Sequence, residues 1–210
     1  MTERILKAMM AGHIPAAEFG MWSIVKRKFD LAKAAEYLER YERFIPGVTH
    51  TFLHHLTGAT ISIGGDCIME DTPAELSKHL DFVMRATGDV LVTGLGLGCV
   101  VRGLLAVDKI QSITVIERDA GVIEHVGSTF HDSRVEIVHS DAIEYVENNE
   151  RRFDAAWHDL WSNPDNDEQK LDLTHIDLIC KLRHACNCQG AWRMPRHIKR
   201  MLSNRLQVLG

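Results

Sequence analysis

The chain has 210 residues, 45% of them hydrophobic and 25% charged, with a net charge of −5. That balance is ordinary for a soluble globular protein, long enough for one domain with a real core and an added N-terminal piece, and it argues against general nucleic-acid affinity. An odd set of cysteines (Cys67, Cys99, Cys180, Cys186, Cys188), with no leader-like apolar run between Met1 and Gly20, points to reduced thiols in the cytoplasm. No segment approaches the ~20 apolar residues of a membrane span.

In chain order, Leu31, Ala34, Ala35, Leu38 and Tyr41 recur at helical spacing behind Asp30 as N-cap, and Pro46-Gly47 closes that helix. Alternating apolar residues at Ala59 to Ile63 and Asp66 to Met69 flank Gly64-Gly65, which predicts a hairpin. Thr72-Pro73-Ala74-Glu75 has the form of a capping box opening a helix to about Arg85. From Gly88 onward short apolar strands alternate with helices. Strands are expected at 89–93, 112–116, 135–138, 153–157 and 190–194, and helices at 100–107, 120–126, 142–148 and 173–186. This rhythm predicts an α/β fold, a Rossmann-like doubly wound, mostly parallel sheet with helices on both faces. N-terminal helices and the hairpin precede it. We expect residues 1–70 to form that N-terminal piece and 71–210 the sheet domain.

In such a sheet, ligands sit beyond the carboxyl ends of the strands. Four strand ends carry candidate chemistry. Thr93 leads into Gly94-Leu95-Gly96-Leu97-Gly98, three alternating glycines opening a helix, where side chains would keep a ligand from the backbone. The dinucleotide pattern would need a glycine where Cys99 stands, so the turn suits an adenosine ligand without a pyrophosphate, and a nicotinamide dehydrogenase is disfavoured. Cys99 starts a helix, where a thiol pKa can fall, but the position better suits a small helix-sheet packing contact. Glu117 ends the second strand, where an acid can accept from both ribose hydroxyls. Asp141 ends the third and suits either an adenine amino group or the N-cap of the next helix. The fourth runs into His158-Asp159-Leu160-Trp161. Asp159 is the candidate to bind or deprotonate an acceptor. His158 reads as a hydrogen-bonded structural histidine or as a group in contact with the acceptor, and Trp161 as a lid or core aromatic or as a ring face laid on it.

The run Asp89 to Gly98, with Glu117, Asp141 and Asp159 at matching strand ends, resembles the class I S-adenosylmethionine-dependent methyltransferases, and within them the spermidine synthase-like branch. The resemblance spans about residues 60 to 160. It implies S-adenosylmethionine, or its decarboxylated form, as cofactor. It places Gly94, Leu95, Gly96, Gly98, Glu117, Arg118, Asp141 and Ala142 against that cofactor and Asp159 beside the reacting centre. Two departures stand out: Leu97 occupies the position of a second acid in spermidine synthases, and Thr72-Pro73 replaces their polyamine-gripping aromatic stretch. The chain also stops soon after its fifth strand, so a C-terminally shortened sheet is expected. Methyl transfer to a small-molecule acceptor therefore comes first among the expected functions, with aminopropyl transfer or a non-catalytic nucleoside-binding module as alternatives.

No metal site is expected. Cys180 and His184 share a helix face without a zinc-like spacing, and His50, His54 and His55 have no acid beside them in sequence. Beyond Lys181 lie only basic charges, and Arg196 to Leu209 reads as a basic amphipathic helix, a possible nucleic-acid contact. A shortened sheet leaves an edge that a second copy of the chain could cover.

Overall fold

A computed structural model of the chain describes residues 2–12, 14–29, 47–54, 66–160, 168–182 and 186–192. The helix expected around Leu31 to Tyr41, the first arm of the Gly64-Gly65 hairpin, Trp161, His184 and the basic C-terminal segment lie outside the described residues.

Helix α1 (Thr2–Met9) comes first, followed by a four-stranded antiparallel sheet in the order β1 (Ala17–Phe19), β2 (Trp22–Lys28), β3 (Val48–His54), β4 (Asp66–Glu70). Only β4 had a counterpart in the sequence reading. Among the described residues its partner is β3, with Leu53 opposite Cys67. Strand β2 carries no clear alternation, since exposed Lys26-Arg27-Lys28 follows the buried Ser23 and Ile24.

Helix α2 (Pro73–Arg85) begins where the capping pattern put it: Thr72 is extended and its hydroxyl accepts from Glu75 N–H at 3.4 Å. The reciprocal half of the box is not made, because the Glu75 carboxylate turns to Trp192 and Lys78 instead.

The second sheet has five parallel strands in the order β7 (Val135–His139), β6 (Ile110–Glu117), β5 (Gly88–Thr93), β8 (Phe153–His158), β9 (Cys186–Ala191). Helices α3 (Cys99–Leu105), α4 (Ala120–His125), α5 (Ala142–Asn148) and α6 (Glu168–Lys181) connect them. The central strand is buried on both faces, as its unbroken apolar run demands. Val90 and Val92 join the larger core with α1, α2 and α3, while Leu91 faces a smaller one with Ala142, Val146 and Leu178. The fold is thus the Rossmann-like α/β architecture anticipated, with an antiparallel sheet added ahead of it.

Two elements are displaced from expectation. Helix α6 both starts and ends five residues earlier than the periodicity suggests. Strand β9 begins four residues early, at Cys186. Its Asn187, Gln189 and Gly190 are poor strand formers, but pairing with β8 overrides propensity.

Candidate functional site

The glycine turn follows β5, and all three of its glycines have positive φ: 89° at Gly94, 50° at Gly96 and 70° at Gly98. Any other residue would be strained there. Gly94 has a second constraint, because a Cβ would overlap the carbonyl oxygen of Asp159. The turn and the end of β8 therefore pack backbone to backbone, and that contact brings Asp159 to the mouth of the sheet. At Gly98 a Cβ would lie 2.6 Å from the Phe130 ring, so this glycine serves packing.

Most backbone donors of the turn are already used. Gly94 N–H donates to Ile116 O at 2.8 Å, Leu95 N–H to Glu117 Oε2 at 2.8 Å, and Gly98 N–H to Leu95 O at 2.7 Å. Leu97 N–H donates to the thioether sulfur of Met69, 3.4 Å away on β4. Among the described residues only the Gly96 amide of this turn lacks an acceptor. The turn is a close-fitting surface more than an anion nest.

A cavity of about 250 Å³ lies over this turn, between the two sheets. Its size is slightly below the usual range for small-molecule pockets, about 300 Å³ upward, and suits a nucleoside better than a dinucleotide. Gly94, Gly96, Glu117, Arg118, Asp141, Ala142 and Asp159 all line it, gathered from four strand ends. Leu95 instead contributes its amide to Glu117, and its side chain is buried.

Glu117 is fixed by two backbone donors. Its Oε2 accepts from Leu95 and its Oε1 from Asp119 N–H at 2.9 Å. A carboxylate oxygen can accept twice, so each oxygen keeps capacity for one more donor. Two such acceptors side by side fit a vicinal diol. Asp141 caps α5, accepting from Ile143 and Glu144 N–H through Oδ1 alone, while Oδ2 takes no hydrogen bond among the described residues. Both readings of Asp141 are therefore compatible with one geometry. The acceptor set fits the sugar and amino donors of an adenosyl group.

Asp159 is the chemically distinctive group. Burial pushes its carboxyl up from 3.8 to about 7; the nearby Trp157 indole offsets part of the rise, and the negative charge of Glu75 adds to it. Glu75 lines the same cavity from the first turn of α2. Its oxygens accept from Trp192 Nε1 at 2.8 Å and Lys78 Nζ at 2.5 Å. Sequence reading passed over Glu75 as a cavity group because Trp192 is 117 residues away. The antiparallel sheet supplies further walls: Met69, and Trp22 stacked on Phe52 with ring centroids 4.8 Å apart. The Trp22 indole donates to Asp119 at 2.7 Å, tying this roof to the Glu117 loop.

Some expectations are corrected. His158 is wholly buried, its Nδ1 paired with Thr93 Oγ1 at 3.0 Å and its Nε2 with Gln189 Oε1 at 3.2 Å; it does not line the cavity and is a core residue. Cys99 is fully buried, as a packing contact would be, and burial raises its thiol pKa, so only the alternative of a lowered pKa is set aside. His50 does have an acid beside it in space: its Nδ1 lies 2.8 Å from Asp71 Oδ2. No group of three or more metal-ligating side chains occurs among the described residues.

The spermine/spermidine synthase domain family matches residues 75–191 of the sequence. A spermidine synthase from Thermotoga maritima superposes with a TM-score of 0.51 at 19% identity, covering 82% of this chain and 53% of that one. The chain thus spans about half the length of that relative. A dimethyladenosine transferase from Plasmodium falciparum gives a TM-score of 0.40 at 19% identity, over 54% of this chain and 37% of that one. At such identities the structural likeness speaks for the fold alone. No curated protein matches the sequence significantly.

Proposed function

This chain belongs to the spermine/spermidine synthase domain family, within the S-adenosylmethionine-dependent transferase superfamily, and we propose that it transfers an aminopropyl group from a decarboxylated sulfonium donor to a small amine. The sign of the cavity carries this reading. Among the described residues, Glu75, Glu117, Asp119, Asp141 and Asp159 line it against the single cation Arg118. A surplus of carboxylates favours ligands with ammonium and sulfonium charges and disfavours a carboxylate tail. The family match supports the same order, placing aminopropyl transfer ahead of the methyl transfer expected first from sequence.

In this reading the domain proposed for residues 71–210 holds the nucleoside, and Trp22, Phe52, Ile68 and Met69 of the 1–70 piece roof it. Glu117 accepts from the ribose hydroxyls, Asp141 from the adenine amino group, and Gly94 and Gly96 let the backbone approach. When bound, the donor supplies an alkyl carbon whose bond to sulfur breaks as the amine lone pair forms the new C–N bond, leaving a neutral thioether. Asp159 takes the proton that the attacking nitrogen loses. A carboxyl near 7 can do so around neutral pH, where a carboxyl near 4 would be a weaker base. Alignment of nitrogen, carbon and sulfur supplies the larger part of the rate. Five free thiols fit the proposed cytoplasmic setting. No described helix is long and apolar enough to cross a membrane.

A second reading, methyl transfer to the same class of amine, is favoured by one observation. Leu97 is wholly buried where spermidine synthases carry an acid, so the turn offers no carboxylate to a donor ammonium. Mass spectrometry of reactions with putrescine or spermidine separates the two. Aminopropyl transfer releases methylthioadenosine and lengthens the amine, whereas methyl transfer releases S-adenosylhomocysteine. Neither product with either donor, together with no nucleoside binding by calorimetry, would overturn both.

A further inference from the structure

We propose that Met69 selects the sulfonium donor by capping the glycine-turn amide that a carboxylate tail would need. The inference rests on the reading that the cavity binds an adenosyl group. Met69 comes from β4, yet its sulfur accepts from Leu97 N–H at 3.4 Å and stands 3.0 Å from where a Cβ on Gly96 would be. The thioether thus lies directly on the bare backbone of the turn and forms part of the cavity wall.

A carboxylate entering this end needs N–H donors. The Gly94, Leu95 and Gly98 amides are spent inside the protein and Met69 holds that of Leu97, which leaves the Gly96 amide as the one donor of the turn, too few for the two oxygens of a carboxylate. A thioether is a weak acceptor and cannot replace the charge-assisted bond that it blocks. An ammonium tail meets the opposite situation, since the nearby groups Glu75 and Asp159 are acceptors. A donor tail ending in an amine is accommodated, and a tail carrying both amine and carboxylate is held less tightly. The selection is made without a charged residue in the turn itself, whose Leu97 side chain points into the core.

The test is calorimetric titration of the full chain and of Met69→Ala and Met69→Leu. The ligands are S-adenosylhomocysteine, its decarboxylated amine analogue, and methylthioadenosine as a tail-free control. Wild type is expected to bind the amine analogue more tightly than S-adenosylhomocysteine. In Met69→Ala that preference falls roughly tenfold, the worth of one hydrogen bond to a charged group, through tighter S-adenosylhomocysteine binding. Met69→Leu retains the bulk and frees the amide, and its preference falls by less. Methylthioadenosine corrects for the wall that Met69 itself supplies: its affinity changes by less than the preference does, and an unchanged urea midpoint reports an intact fold.

An unchanged preference in both variants overturns the role of Met69 and leaves the adenosyl site standing. So does a loss of methylthioadenosine affinity as large as any other change. Failure of all three ligands to bind wild type overturns the site and this inference together.

Discussion

At Glu117 a single carboxylate does two tasks, and one substitution strikes both. It closes the glycine turn by accepting from Leu95 and Asp119, and it leaves one acceptor position per oxygen facing the cavity. Glu117→Gln turns one acceptor into a donor that faces a backbone N–H. We expect nucleoside affinity to fall roughly 10- to 100-fold and stability by about 1–3 kcal/mol, read by calorimetry and urea unfolding. Normal affinity in that variant would place the sugar elsewhere. Glu117 was legible in the sequence because strand, glycine turn and acid follow one another locally. Met69 and Glu75 were not, since their partners Leu97 and Trp192 are 28 and 117 residues distant and no local pattern encodes such pairings. His158 misled for the opposite reason. It sits at the expected strand end, but strand alternation turns its ring into the core.

Among the elements, the parallel strands were easy to read because burial on both faces requires continuous apolar runs such as Val90-Leu91-Val92. The antiparallel strands were hard because they are short or one-sided, and their charged ends resemble helix or loop. Helix α2 was legible from its cap, and that cap has functional weight because the first turn carries Glu75 into the cavity. Thr72→Ala should cost about 0.5–1 kcal/mol, toward the low end for an N-cap given the 3.4 Å bond. Its nucleoside affinity should stay at the wild-type value, since Trp192 and Lys78 hold Glu75 independently. Urea unfolding and calorimetry on the same preparation check both parts. A loss of binding without loss of stability would show that the cap, not those two donors, positions the carboxylate.

For the whole molecule, half-buried Asp159 at the cavity and buried His79 give opposite pH dependences. Asp159 is raised from 3.8 to about 7, so its contribution to stability is full below about pH 4 and is lost as pH rises toward 7. His79, on α2 against Trp157, is lowered by burial from 6.5 to about 4, and neither ring nitrogen has a partner among the described residues. Its contribution is full above pH 6.5 and is lost as pH falls toward 4. At about 1.4 kcal/mol per pH unit the terms are about 4 and about 3 kcal/mol, over nearly the same window and with opposite slopes. In the wild type they largely cancel. Asp159→Asn removes the first, so its stability relative to wild type should climb by about 4 kcal/mol between pH 4 and pH 7.5 while transfer activity is lost. His79→Phe removes the second, and its relative stability should rise as pH falls from 7 to 4. Urea unfolding across that range checks both. A flat difference for Asp159→Asn would mean that the carboxyl is not held near neutrality by the fold, and the proposed base would lose its physical basis.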